Sequence, residues 1–153
     1  PPTNLIANAS VETADVGGAT PQAWLSNAWG TNTATFEYPV TGFEGAKAIR
    51  VNMTAHTDGD AKWYFNPITV NPTKTYTYSD YYTSNVSTRY VVRFFLTNGT
   101  YQYEEIGSTP AAATPTKFEK SFAIPSTAQN MTIFHLISEI GILTIDNAVL
   151  TSN

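Results

Sequence analysis

The stretch AKAIRVNMTAH, residues 46–56, alternates in a way that decides the architecture. Ile49, Val51 and Met53 fall on one side, and Ala48, Arg50, Asn52, Thr54 and His56 fall on the other. A period of two is the mark of a strand with one face in the core and one in water. The pattern repeats outward along the chain: Val92, Phe94 and Leu96 oppose Val91, Arg93 and Phe95, a strand apolar on much of both faces. β-Branched and aromatic residues recur in short runs broken by Gly, Pro, Asn and Asp, and no sustained helical period interrupts them. Strands are predicted over 5–7, 10–13, 34–38, 46–55, 61–65, 74–84, 88–97, 100–106, 116–123, 130–138 and 141–150. Asp58-Gly59 and Asn71-Pro72 separate neighbouring runs, and Asn98-Gly99 predicts a two-residue hairpin turn. GSTPAAATPT, residues 107–116, reads as a loop. So many short strands with no helices to cover them must bury their apolar faces against one another. The expected fold is all-β: a two-sheet antiparallel β-sandwich of jelly-roll topology. No internal repeat suggests a propeller or solenoid.

Composition narrows the class. The chain has 153 residues, 42% of them hydrophobic, which suits one core and one domain, assigned to 4–153 with PPT at 1–3 as a linker remnant. The net charge of −4 without a basic run argues against a nucleic-acid partner. Cysteine is absent, so disulfides and thiolate chemistry are excluded. No apolar run approaches a membrane span, and no signal segment opens the sequence. Asn-x-Ser/Thr sequons begin at Asn8, Asn52, Asn85, Asn98 and Asn130, a pattern that an Asn- and Thr-rich chain produces by chance.

Aromatic residues stand where a core does not need them. Trp63 and Tyr64 are consecutive in a strand, so one must lie outside the interior. An exposed ring is apolar area left in water, and stacking on the C–H face of a pyranose is one way to use it. Trp24, Trp63 and Phe65 are read as core. Trp29, in the loop-like PQAWLSNAWG, is the first candidate platform, and Tyr64 the second. In TYTYSDYY, Tyr76, Tyr78, Asp80 and Tyr82 share one face and Tyr81 takes the other. Burying Asp80 unpaired would cost several kcal/mol, so the strand is expected to bulge there or run past the core. Either way Asp80, Tyr81 and Tyr82 would offer a carboxylate and rings to solvent. Asp80 then suits a sugar diol and equally a salt bridge to Arg50 or Arg93. The polar row of Arg50, Asn52 and His56 would line a concave sheet and meet hydroxyls, or form the wet side of a convex one. The acidic net charge favours a neutral glycan, whereas a cluster of Arg50, Arg93 and Lys62 would accept a uronate.

Catalytic constellations are thin. His56 and His135 lack metal-ligand spacing, no serine stands in a Gly-x-Ser-x-Gly elbow, and Gly-rich phosphate loops are missing. Glu104 and Glu105 are adjacent in a strand and point to opposite faces, so they cannot flank one glycosidic bond.

NLIANASVET at the start and GILTIDNAVL at the end resemble the first and last strands of jelly-roll carbohydrate-binding modules of the family four, nine, sixteen and twenty-two type. ITVNPTKTYTYSDYY resembles their apolar strand, Pro-containing turn and Tyr-rich strand, and the three occur in the expected order. WGTNTATFEYP and DGDAKWYF look like segments of modules appended to bacterial polysaccharide-acting enzymes. Val11 departs from the usual Phe, and Asp80 from an apolar residue. The resemblance implies a non-catalytic, secreted or cell-surface module that binds a polysaccharide or oligosaccharide as a monomer and targets an appended catalytic domain. It also implies a structural Ca²⁺ on the terminal strands, with Glu12 and Asp146 as ligands, Asn8 and Asn147 as weaker ones, and backbone carbonyls completing the shell. The alternatives are a small β-sandwich lyase or hydrolase, betrayed by product formation, and a protein-recognising adhesion domain, silent on a glycan array.

Overall fold

The computed structural model describes residues 2–153 and carries strands only, with no helix among the described residues. In chain order these are β1 (Trp24–Trp29), β2 (Asn32–Thr41), β3 (Lys47–His56), β4 (Asp60–Phe65), β5 (Ile68–Thr69), β6 (Thr75–Ser84), β7 (Thr88–Leu96), β8 (Tyr101–Thr109), β9 (Ala112–Ala123), β10 (Ala128–Ile137) and β11 (Gly141–Ser152). One sheet runs β1-β4-β10-β7-β8 with β5 pairing β10, and the other runs β2-β3-β11-β6-β9. Every pairing within them is antiparallel. The sheets face each other across one core, the jelly-roll sandwich that the alternation predicts. Ile49, Val51 and Met53 are buried in it, opposite Trp63, Val92 and Ile133 from the other sheet. Trp63 crosses the layer, its Nε1 donating to the Arg50 carbonyl at 3.0 Å.

Several local expectations are corrected. Residues 5–7 and 10–13 form no strand; the chain turns through Asn8 and Val11 at φ of 52° and 54°, and touches β11 where Leu5 N donates to the Leu150 carbonyl. The expected loop around Trp24–Trp29 is the edge strand β1, its small polar residues tolerated because five of its six positions face solvent. The expected 107–116 loop shrinks to Pro110 and Ala111, since β9 begins at Ala112. β9 lies at the end of its sheet, where Pro115 breaks no ladder on its free side. At Asn98-Gly99 the loop is longer than two residues: Leu96 N bonds the Thr100 carbonyl, with Gly99 at φ 82° in the left-handed position.

The largest correction concerns Asp80. β6 keeps its alternation, and Tyr76, Tyr78, Asp80 and Tyr82 all face the core, none more than 3% exposed. The irregularity falls on the partner strand, where Asp146 and Val149 of β11 pair with Tyr81 and Ser79. Asn147, between them, has φ 53°. The buried carboxylate is satisfied by Tyr78 Oη (2.9 Å), Tyr90 Oη (2.8 Å) and His135 Nδ1 (2.9 Å). His135 Nε2 meets Thr88 Oγ1 at 2.8 Å, and that hydroxyl meets Thr109 Oγ1 at 3.0 Å. In the neutral imidazole with Nδ1–H donating to Asp80, Nε2 accepts from Thr88. Burial first, and then the Asp80 charge, push the Tyr78 and Tyr90 phenols well above their ordinary range, so both remain donors.

Candidate functional site

Alternation sends one set of side chains from the β1-β4-β10-β7-β8 sheet into the core and the other onto its outer face. The outer set includes Leu25, Asn27 and Trp29 of β1; Asp60, Lys62 and Tyr64 of β4; Phe134 and Leu136 of β10; Arg89, Val91 and Arg93 of β7; and Tyr101 and Tyr103 of β8. A groove of about 430 Å³ opens on this face, lined by ten residues that include Trp29, Lys62, Val91, Arg93, Tyr103 and Phe134. Its width follows from the topology. Trp29 is on β1 and Tyr103 on β8, four strand spacings or about 19 Å apart across the sheet and further offset along the strands, which is room for several sugar rings.

The groove has apolar floor, polar contacts and two exposed rings. Trp29 is 59% exposed and Tyr103 58% exposed. Trp29 Nε1 donates to Asp60 Oδ2 at 2.7 Å, and Lys62 Nζ donates to Asp60 Oδ1 at 2.7 Å. Asp60 and Lys62 are both nearly buried, so this pair holds the indole at a fixed orientation rather than reaching for ligand. Lys62 Nζ also sits 4.7 Å from the centre of the Phe134 ring. Tyr64 packs edge-on against Phe134 at 5.1 Å, and is half-buried beside the groove. Behind Trp29, Asn32 Nδ2 donates to the Trp29 carbonyl (2.9 Å) and the Asp58 carbonyl (3.1 Å), while His56 Nε2 lies 3.0 Å from the Gly59 carbonyl.

The expected site residues divide between places. Trp29 and Tyr64 lie on the groove face. His56 lies beneath the turn that leads to Asp60, not in the groove. Arg50 and Asn52 are on the outer face of the other sheet, where Arg50 Nε donates to Thr144 Oγ1 (2.9 Å) and its guanidinium lies 3.7 Å from Glu37. A hollow of about 620 Å³ there is lined by Arg50, Thr83, Asn85, Ala112, Ile142 and Thr144 among others, with no aromatic ring. Tyr81 is half-buried on that sheet, beside Phe43, Glu44 and Asn147. Asp80 and Tyr82 are in the core, where Tyr82 Oη donates to the Pro110 carbonyl at 3.0 Å, so neither offers a group to a ligand. The sequence alone assigns no role to Asn27, Arg89, Tyr103 or Phe134, and reads Asp60 as part of the Asp58-Gly59-Asp60 turn. The signal was present: the Asn98-Gly99 hairpin places YQYEE against VVRFF, and alternation then puts Tyr101 and Tyr103 beside Phe95 and Arg93.

Glu12 and Asp146 meet the same turn. Glu12 accepts from Ala46 N (3.1 Å) and Lys47 N (3.0 Å), and Asp146 Oδ2 from Phe43 N (2.9 Å) and Glu44 N (3.1 Å). Neither carboxylate is in a salt bridge among the described residues. Burial raises the Asp146 carboxyl above its ordinary value; N–H groups of Glu44, Asn147 and Phe43 oppose that, and the Glu12 charge adds to it. Asn8 is spent otherwise: its Nδ2 donates to the Thr13 and Gln22 carbonyls, both at 2.8 Å, and its Oδ1 accepts from Thr13 N at 3.0 Å. No group of three or more His, Asp or Glu gathers among the described residues.

Fold and groove together define a jelly-roll β-sandwich with an aromatic-rimmed groove across one sheet. The sequence matches no protein-family model and no curated protein. Solved structures do share the fold. The xylan-binding CBM22-1 domain of Paenibacillus barcinonensis Xyn10C is 12% identical at a TM-score of 0.69, with 99% of this chain and 95% of that one covered. The family 11 carbohydrate-binding module of Clostridium thermocellum Lic26A-Cel5E is 13% identical at a TM-score of 0.69, covering 100% and 95%. The enzymatically active domain of bacteriophage CBA120 tailspike protein 4 is 18% identical at a TM-score of 0.74; it matches 98% of this chain, which spans only 21% of that one.

Proposed function

We propose that the chain is a non-catalytic carbohydrate-binding module that takes a polysaccharide along the groove between Trp29 and Tyr103. The observation that carries this reading is that two of the rings lining the groove, Trp29 and Tyr103, are left more than half exposed. Stacking on these rings supplies the affinity, since exchanging water for sugar hydroxyls is nearly even. Binding without cleavage fits the carboxylates of this face. The backbones of Asp60 and Glu105 stand on β4 and β8, three strand spacings or about 14 Å apart across the sheet and further offset along it, beyond the separation a glycosidase pair uses. Each is also engaged by a cation, Asp60 by Lys62 at 2.7 Å and Glu105 by Arg89 at 3.0 Å. In a longer secreted or surface protein such a monomeric module would hold a catalytic domain near its substrate by raising the local concentration. Trp29→Ala tests the site. In a polysaccharide-impregnated gel the variant is expected to bind at least about tenfold more weakly, with a thermal midpoint within about 2 °C of the parent. Undiminished retardation removes Trp29, and the groove with it, from the function.

The same reading includes a structural calcium ion held by Glu12 and Asp146, with the side chain of Asn8 excluded. Two carboxylates meeting one turn, one of them 2% exposed and neither in a salt bridge among the described residues, suit a divalent ion; backbone carbonyls other than that of Glu12, which accepts from Lys47 Nζ at 3.0 Å, would fill the remaining positions. Bound there, the ion would neutralise the paired charges and tie the 43–47 turn to β11. Millimolar calcium is expected to raise the thermal midpoint of chelator-treated protein by about 5–10 °C. Identical melting with calcium and with chelator would mean that backbone N–H groups alone hold the pair.

A further inference from the structure

We propose that the groove is built for an acidic polysaccharide, with Arg93 as the receptor for a uronate carboxylate; the inference rests on the carbohydrate-binding reading above. Three cations line the groove, and two are already neutralised: Lys62 by Asp60 at 2.7 Å and Arg89 by Glu105 at 3.0 Å. Arg93 has no carboxylate partner among the described residues. Its guanidinium is instead held among three rings, 4.7 Å from the centre of Tyr101 and 5.4 Å from those of Tyr64 and Phe134. Such packing fixes the cation and excludes water from part of its surroundings without consuming its N–H donors. An immobilised guanidinium with unspent donors matches a planar carboxylate through two parallel bonds, a fit that an ammonium does not give.

Position selects the ligand class. Arg93 pairs across the ladder with Tyr103, so the free charge sits beside an exposed stacking ring. A sugar stacked there would carry its carboxylate within reach of the guanidinium. One unpaired cation in the groove of a chain of net charge −4 suits acidic groups spaced along a sugar chain, and does not suit the continuous charge of a polyphosphate. Arg50, on the opposite sheet and facing Glu37, takes no part.

The test is affinity electrophoresis with a polyuronate, its carboxyl-reduced neutral counterpart and a sulfated polysaccharide, at low and high ionic strength. The parent protein is expected to prefer the polyuronate over the reduced chain by at least about tenfold at low salt, and to lose that preference as salt screens it. Arg93→Gln should abolish the preference, and Arg93→Lys, which keeps the charge and loses the fork, should recover only part of it. Lys120→Gln, at an exposed position of the edge strand β9, makes the same change in net charge and should leave the preference intact; an equal loss there would reduce the effect to overall charge and overturn the assignment. Equal binding of native and reduced chains also overturns it, as does Arg93-dependent binding of the sulfated chain alone. If only neutral chains bind, this inference fails and the carbohydrate-binding reading stands. If no polysaccharide binds, both fail.

Discussion

Asp80→Ala is expected to lower the thermal midpoint by roughly 10 °C, with no loss of specific glycan affinity in whatever fraction stays folded. The carboxylate is completely buried, and it accepts from Tyr78, Tyr90 and His135 at 2.8–2.9 Å. Removing it strands three buried donors at once, each costing about 1–3 kcal/mol if no other partner is found, and opens a cavity besides. Rearrangement recovers part of that, which leaves about 3–5 kcal/mol. The Tyr90 ring is stacked on Phe118 at 3.7 Å and on His135 at 3.8 Å, so it cannot swing towards water in search of a new acceptor. Asp80→Asn keeps the shape and one acceptor oxygen, and should melt well above the alanine variant. Thermal unfolding followed by circular dichroism decides: if alanine and asparagine melt together near the parent, the network contributes little and Asp80 is incidental to the fold.

Asp80 also marks where sequence reasoning fails for a physical cause. Alternation alone placed it on the core face with Tyr76, Tyr78 and Tyr82, and that placement is what the structure shows. The cost of an unpaired buried charge points outward instead, and pairing depends on residues from β7 and β10 that no local pattern brings together. The sandwich was legible because it needs only period-two alternation and turn residues, which are local. Trp29 was legible as an exposed ring because PQAWLSNAWG is rich in small and polar residues, although its segment proved to be a strand. Which face carries the groove was not legible, since both outer faces have a polar row. Tyr103 and Arg93 emerge only when the register across the hairpin is carried into the next strand. The distinction between Arg50 and Arg93, one set against Glu37 and one left unpaired among rings, is entirely tertiary.

Gly59→Ala is expected to damage both stability and binding, because the turn it occupies fixes the groove's indole. Gly59 has φ +82°, and an added Cβ would collide with the Trp29 carbonyl oxygen and lie 2.8 Å from the Gly30 Cα. Gly30, at φ +83°, is equally confined, since its own Cβ would lie 2.7 Å from the Gly59 Cα. The turn from β1 to β2 and the turn from β3 to β4 are thus interlocked through two glycines. The interlock is laced by Asn32 Nδ2 to the Trp29 and Asp58 carbonyls, by His56 to the Gly59 carbonyl, and by Thr31 N to the Asp58 carboxylate. A methyl group at Gly59 must push the turns apart, which carries Trp29 away from Asp60 and breaks the 2.7 Å bond that aims the indole. The left-handed backbone alone costs alanine about 1–2 kcal/mol. Gly99→Ala measures that part by itself, since Gly99 shares φ +82° and meets no atom within 4 Å. Gly59→Ala should therefore melt several degrees below Gly99→Ala, a further loss of about 2 kcal/mol or more, and should lose polysaccharide retardation that Gly99→Ala retains. Equal midpoints would show that the turns separate freely. Intact retardation by Gly59→Ala at a temperature where it is folded would show that the orientation of Trp29 does not matter to the ligand, and the stacking role assigned to it would have to be given up.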